Sequence, residues 1–259
     1  MKKIYILTED KLKMLIHEEA ARMQKEAHRE MERQIHDKEI TLASLQGQMN
    51  PHFLYNALEG IRGQALIDDA PIIADIARSL ADFFRYSISS KSDFATLQEE
   101  LNNVKNYIKI QQFRFDNRFQ VDIQYDEEDV YVLGTYLPKL TLQPIVENAI
   151  IHGFTKIMKD ACITIKIVAT KKNVNITVSD NGTGMDKETL KNLNKKIRGE
   201  MKEEKERGRH NGIAMPNVHR RIQLMFGEDY GMHISSIPHV GTDVELHLPF
   251  CINLDETLV

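Results

Sequence analysis

Apolar residues recur every three or four positions through the first part of this chain and every second position through much of the rest, and the two periods divide it. From about Thr8 to Met49 the apolar positions Ile16, Ala20, Met23, Ala27, Met31, Ile35, Leu42, Leu45 and Met49 are filled in between by charged residues, with no proline, and no glycine before Gly47. The spacing predicts a helix whose stripe is too thin to stand alone in water, so a partner helix is required. A run of fours at Ala27, Met31 and Ile35 breaks heptad phase, as a stutter in a coiled coil does. Helical spacing resumes at Phe53, Leu54, Ala57, Leu58 and Ile61 and runs to about Leu66. Asp68-Asp69-Ala70-Pro71 then supplies a cap and a first-turn proline for a second helix, with Ile72, Ile73, Ile76, Leu80, Phe83 and Phe84 on one face and an end near Ser89-Ser90. Two helices joined by a short turn form a hairpin, and two hairpins from two chains would bury both stripes as a four-helix bundle.

A further amphipathic helix is predicted over Leu97 to Phe115, after a boundary near Ser90 to Ala95. Alternation then marks strands at Phe119 to Tyr125, Cys162 to Ala169, Val174 to Ser179, Met232 to Ile237 and Thr242 to Leu248. Helices are expected between them at Lys139 to Ile151, Asp186 to Ile197 and Ala214 to Phe226. Lys171-Lys172-Asn173 is a tight turn between adjacent strands, so the sheet is mixed and the fold an α/β sandwich. The class is α+β and multidomain: 1–43 a coiled-coil helix, 44–93 a helical hairpin, 94–250 an α/β domain, 251–259 a tail.

The chain of 259 residues carries 34 basic and 38 acidic side chains, a net charge of −4, which gives no basic field for a nucleic-acid backbone. Cys162 and Cys251 lie far apart with neither metal-ligand nor paired-thiol spacing, so reduced thiols and a cytoplasmic setting are expected. No apolar run approaches the roughly 18 to 20 residues of a membrane span.

The chemistry centres on Gln48-Met49-Asn50-Pro51-His52-Phe53-Leu54-Tyr55-Asn56. Pro51 lacks the amide that a helix interior needs, so a bend is expected there, with His52 presented at it. The string resembles the phosphoacceptor box of the LytS-like group of two-component sensor histidine kinases, which implies that His52 is the phosphoacceptor. By the same resemblance Asn56, one turn later on the same face, would position the water that removes phosphate from a response regulator.

Leu142-Gln143-Pro144-Ile145-Val146-Glu147-Asn148-Ala149-Ile150-Ile151-His152-Gly153 resembles the N box of the Bergerat-type ATPases. The resemblance implies that Asn148 ligates a Mg²⁺ ion shared with the phosphates of ATP, a metal that needs few protein groups when phosphates supply the rest. Glu147 would serve as base or orienter of the attacking imidazole, and His152 would contact phosphate. Gyrase-type relatives carry a water-activating glutamate four residues before the asparagine; here Pro144 stands there, which favours transfer to a side chain over hydrolysis. Val178-Ser179-Asp180-Asn181-Gly182-Thr183-Gly184-Met185 resembles the G1 box, with Asp180 accepting the adenine amine and Gly182 and Gly184 allowing close backbone approach. Glu200 to Asn211 resembles the mobile lid, and Asn211-Gly212-Ile213-Ala214-Met215-Pro216-Asn217-Val218 the G2 box, Gly212 and Ile213 contacting nucleotide; His210 and Ala214 stand where the family commonly has glycine. Val240-Gly241-Thr242 resembles the last box, with Thr242 supporting the adenine pocket.

The resemblance implies a homodimer through the N-terminal helices, a response-regulator receiver domain as partner, and membrane contact only through a sensor segment outside this chain. It implies ATP-dependent autophosphorylation of His52 and transfer to an aspartate. The alternative is a nucleotide-binding dimeric scaffold that has lost transfer through its altered G2 box.

Overall fold

The computed structural model describes residues 51–88, 92–154, 160–200 and 214–253. The coiled-coil stretch 1–43, the residues before Pro51 that the expected bend would involve, the lid after Glu200, Gly212 and Ile213 lie outside them. The chain forms two compact units, 1–54 and 55–259, and only residues 51–54 of the first are described.

Helix α1 spans Pro51–Ile67 and α2 spans Pro71–Ile88. The turn between them is closed by the Ala70 amide donating to the Ala65 carbonyl at 2.8 Å, with Asp69 in the left-handed region at φ 52°. The Arg85 guanidinium lies over the Tyr55 ring, 5.7 Å from its centroid. Within this one chain Ala74, Ala77 and Ala81 of α2 are buried, whereas Ile72 and Ile73, on the stripe expected to meet a second hairpin, are 66% and 50% exposed.

β1 (Phe94–Thr96) pairs antiparallel with β3 (Tyr136–Pro138), a two-stranded element too short to register in the sequence pattern. Between them run α3 (Leu97–Arg114), β2 (Phe119–Gln124) and a 3₁₀ segment, Glu127–Gly134. A capping box opens α3: the Thr96 hydroxyl accepts from the Glu99 amide while the Glu99 carboxylate accepts from the Thr96 amide. Helix α2 lies along α3, with Phe83 and Tyr107 rings 5.9 Å apart and Lys109 bonded to Asp75 at 3.1 Å.

After β3 come α4 (Gln143–Asn148), a π-turn (Ala149–Gly153), β4 (Ala161–Ala169), β5 (Asn173–Asp180), α5 (Lys187–Ile197), α6 (Ala214–Phe226), β6 (Gly231–Ile237) and β7 (Gly241–Pro249). The main sheet has order β2-β4-β5-β7-β6; β2 runs parallel to β4 and the remaining neighbours are antiparallel. Ile163, Ile165, Ile167, Val174, Ile176, Val178, Ile234, Leu246 and Leu248 point to one face and join Leu97, Leu101, Val104, Ile145 and Ile222 of the helices in one core. The other face carries Lys166, Asn175, His233 and Glu245, all exposed, as period-two alternation requires of a two-layer sandwich.

The helix expected from Lys139 starts four residues later. Residues 139–142 form a turn around the Glu100 side chain, itself fully buried. The Leu140 amide donates to its Oε1 at 2.6 Å, and the Thr141 and Leu142 amides donate to Oε2 at 2.8 and 2.9 Å. Leu140 sits at φ +59°, which no helix can absorb. Cys251 is buried, and its carbonyl accepts from the Tyr136 amide, so the start of the expected tail belongs to the folded unit. Replacing Glu100 by Gln keeps the volume but turns an amide NH₂ toward backbone donors. Glu100→Gln is expected to lower unfolding free energy by about 2–4 kcal/mol, read as a reduced urea midpoint with unchanged slope.

Candidate functional site

Between α4, the π-turn, α5 and the middle of the sheet lies a cavity of about 370 Å³. Its apolar walls include Ile145, Ala149, Val178, Met185, Leu193 and Ile234, and its polar groups include Asn148, His152, Asp180, Thr189 and Thr242. A mostly apolar cavity with a few convergent polar groups suits a small heterocyclic ligand.

Asp180 ends β5, directly across from Thr242 on β7. Its Oδ1 accepts from the Gly182 amide at 2.8 Å. Burial pushes its carboxyl up to about 6, against the pull of backbone donors at Gly182 and Thr242. The surrounding backbone comes this close only because side chains are missing. A Cβ at Gly182 would lie 2.6 Å from the Gly153 Cα, and one at Gly241, where φ is +145°, would overlap the Asp180 carbonyl. Gly184, at φ +61°, turns the chain back so that the Met185 amide donates to the Ser236 hydroxyl at 2.8 Å. Ser236 in turn donates to the Gly241 carbonyl at 2.8 Å and lies 3.0 Å from the Thr242 hydroxyl. Asn181 points away from the cavity and fastens the start of β4: its Oδ1 accepts from Cys162 and its Nδ2 donates to the Asp160 carbonyl.

Asn148 closes α4. Its amide nitrogen donates to the Pro144 carbonyl at 2.8 Å, so the side-chain oxygen is the atom it can offer. An amide oxygen on a cavity wall is the donor a hard cation accepts, and Mg²⁺ held largely by phosphates and water asks little more of the protein. His152, exposed in the π-turn, lines the same cavity. Glu147 is half-buried and is not among the lining residues; its charge acts instead on Tyr107, whose hydroxyl is raised first by burial and then by that charge.

Of the residues expected at the site, Asn148, His152, Asp180, Gly184 and Thr242 line one cavity, and Gly182 stands behind Asp180. His52 and Asn56 are exposed on α1. Sequence reasoning missed Ser236, Thr189 and Gly153. Gly153 closes the motif that contains Asn148, and its carbonyl accepts from the Thr183 amide at 2.9 Å, stitching that motif to the Asp180 loop. Ser236 sits in an ordinary strand alternation and gave no signal.

Residues 40–119 match the family model described as histidine kinase. Residues 137–252 match that of the histidine kinase-, DNA gyrase B- and HSP90-like ATPases. The chain is 39% identical over 219 residues to sensor histidine kinase YesM of Bacillus subtilis, an alignment covering 85% of this chain and 35% of that protein. It is 34% identical over 214 residues to sensor protein LytS of Oceanobacillus iheyensis, covering 82% and 35%, and 33% identical over 213 residues to sensor histidine kinase YpdA of Escherichia coli, covering 80% and 34%. It thus spans about a third of the length of these curated relatives. One match takes in His52 and the hairpin and the other takes in the whole cavity, so the chain belongs to the sensor histidine kinase family, in its LytS-like group.

Proposed function

We propose that this chain is the catalytic core of a sensor kinase: it uses ATP to phosphorylate His52, and phospho-His52 then donates to an aspartate on the receiver domain of a response regulator. The observation that carries the reading is the convergence of Asp180, Thr242 and Asn148 on one apolar cavity in a chain whose Asn-Pro-His string presents an exposed histidine on a separate helix. Functionally we divide the chain as 1–43, 44–93 and a third segment from 94 that takes in Cys251, the second segment carrying the phosphoacceptor and the third the nucleotide.

Asp180 accepts the adenine amine, a contact guanine could not make, and Thr242 and Ser236 hold that edge of the pocket. The apolar walls take the two faces of the ring. Asn148 offers its oxygen to Mg²⁺, which when bound offsets the charge on the phosphates, and His152 lies on the same side. A neutral imidazole nitrogen of His52 attacks the γ-phosphorus, the bond to the β-γ bridging oxygen breaks, and ADP leaves with that electron pair. The imidazole proton passes to a base, a role we assign to Glu147 from its place beside Asn148. The reaction needs positioning and charge stabilisation more than covalent chemistry from the protein. Phospho-His52 then loses its phosphoryl group to the receiver aspartate, restoring imidazole and forming an acyl phosphate. Asn56, exposed one turn after His52, is assigned the water that later removes it.

We also propose that the core is a homodimer. Ile61, Leu66, Ile67, Ile72 and Ile73 are 52%, 57%, 78%, 66% and 50% exposed on the hairpin, and a second copy covers such a stripe by forming a four-helix bundle. Among the described residues no helix is long and apolar enough to cross a membrane. A core that draws on ATP and a receiver domain works in the cytoplasm, with any membrane anchor in a sensor segment outside this chain.

Incubation with γ-labelled ATP and Mg²⁺ should give acid-labile label in the parent and none in His52→Gln. Bound nucleotide without label would leave the chain a nucleotide-binding scaffold. Asp180→Asn is expected to weaken ADP binding by about 10- to 100-fold, since an amide NH₂ then faces the adenine amine. The pH dependence has a definite sign. With the carboxyl raised to about 6, the empty site takes up a proton as pH falls, and ligand competes with that proton. Affinity should therefore drop about tenfold between pH 7.5 and pH 5, and calorimetry should find that component of the slope missing in Asp180→Asn.

A further inference from the structure

The motif that carries Asn148 is delivered by a six-residue helix, α4, whose N-cap residue, Leu142, makes no side-chain capping bond. A helix start without its own cap needs its amides satisfied from elsewhere. Here the Glu100 carboxylate of α3 takes the amides of Leu140, Thr141 and Leu142. The preceding turn is strained, since a leucine at φ +59° costs about 1 kcal/mol over the ordinary backbone regions. The turn is held at both ends of Leu140: its amide by Glu100, and its carbonyl by the Arg221 Nη2 of α6 at 2.9 Å.

One more group enters this cluster, and it comes from the hairpin. Tyr86, in the last turn of α2, donates its hydroxyl to Glu100 Oε1, the oxygen that also accepts from Leu140. The Lys139 ammonium lies over the Tyr86 ring, 4.8 Å from its centroid. Nearby, Phe83 against Tyr107 and Asp75 against Lys109 hold α2 along α3. Tyr86 thus ties α2 to the turn before α4 twice, through the Glu100 carboxylate and through the Lys139 ammonium above its ring.

We propose that Tyr86 is a positioning residue for the phosphate side of the nucleotide site: through Glu100 it fixes the 139–142 turn and hence the placement of Asn148, making the hairpin's second helix part of the apparatus that sets the Mg²⁺-binding oxygen. The adenine side depends on Asp180, Gly182, Ser236 and Thr242, whose hydrogen bonds run within the sheet and its loops and not to residues 139–142. Loss of the Tyr86 hydroxyl thus separates the two halves of the site. The inference rests on the kinase reading above, with nucleotide binding as a readout of its own.

The test is Tyr86→Phe in the full chain, comparing ADP affinity in EDTA with ATP affinity in Mg²⁺, and the rate of His52 labelling at saturating ATP. ADP affinity without metal should stay within about twofold, while the gain in ATP affinity on adding Mg²⁺ and the labelling rate each fall about tenfold, as loss of orientation by a displaced ligand predicts. Arg221→Gln, which releases the other end of the turn, should produce the same split. The double variant should then be no worse than the weaker single one, because both act through Leu140. Parent-like Mg²⁺ dependence and labelling in Tyr86→Phe would overturn the proposal even if its melting temperature fell, and so would an equal loss of affinity with and without Mg²⁺. An unlabelled parent would overturn the kinase reading, while the Mg²⁺ dependence of binding in the same preparation would still decide the role of Tyr86.

Discussion

The fully buried carboxylate of Glu100 is the constraint on which the Asn148 side of the site depends. Burying such a group is costly, and burial raises its pKa against the pull of its hydrogen bonds. It is tolerable only because Tyr86 and the amides of Leu140, Thr141 and Leu142 converge on its two oxygens. The same bonds force residues 139–142 out of helical geometry and start α4 at Gln143, which sets where Asn148 comes to rest at the cavity wall. A stability requirement and a functional placement are therefore met by one set of contacts, and neither can be altered without the other.

The opposite wall is built on a different principle. Asp180, Thr242 and Ser236 are held by strand register and by backbone that approaches within distances only glycine permits. Nothing there needs to move for the pocket to exist. The cavity thus joins a rigid half, made of sheet and close-packed backbone, to a half whose position is set by a turn at Leu140 and by the helices that grip it. A reaction needing a fixed purine and a phosphate chain aligned only when the partner is ready is suited by that division.

Much of this was legible in the residues. The strands fell within a residue or so of their observed limits because Ile163, Ile165 and Ile167, and Val174, Ile176 and Val178, alternate against polar neighbours on a sheet with one wet face. That Asn148, Asp180 and Thr242 would come together at one cavity was legible because each sits in a string with a chemical reason for its order. What escaped was non-local. Glu100 reads as a surface acid beside Glu99, and only the capping box shows why: Glu99 faces Thr96 at the helix start, so its neighbour turns inward. Lys139 to Leu142 continues an apolar helical pattern, and no local rule reveals that a carboxylate some forty residues earlier takes its amides. The paired strands β1 and β3 were missed for want of length, three residues giving no period to detect.

The second hairpin helix brings these points together. Its bulky residues, Ile72 and Ile73 foremost, face outward, while Ala74, Ala77 and Ala81 are buried and Phe83 and Tyr86 lie against α3. The sequence pattern exposed the first of these faces and hid the second, because alanines carry little hydrophobic signal and a tyrosine near a helix end looks like a surface residue. Yet it is the inconspicuous face that reaches the nucleotide-binding machinery. If the proposed second copy covers its outer face, this helix cannot rotate to improve one contact without disturbing the other. Packing in that proposed dimer and alignment at the phosphates would then be coupled through a single element, with Tyr86 as a polar point of attachment.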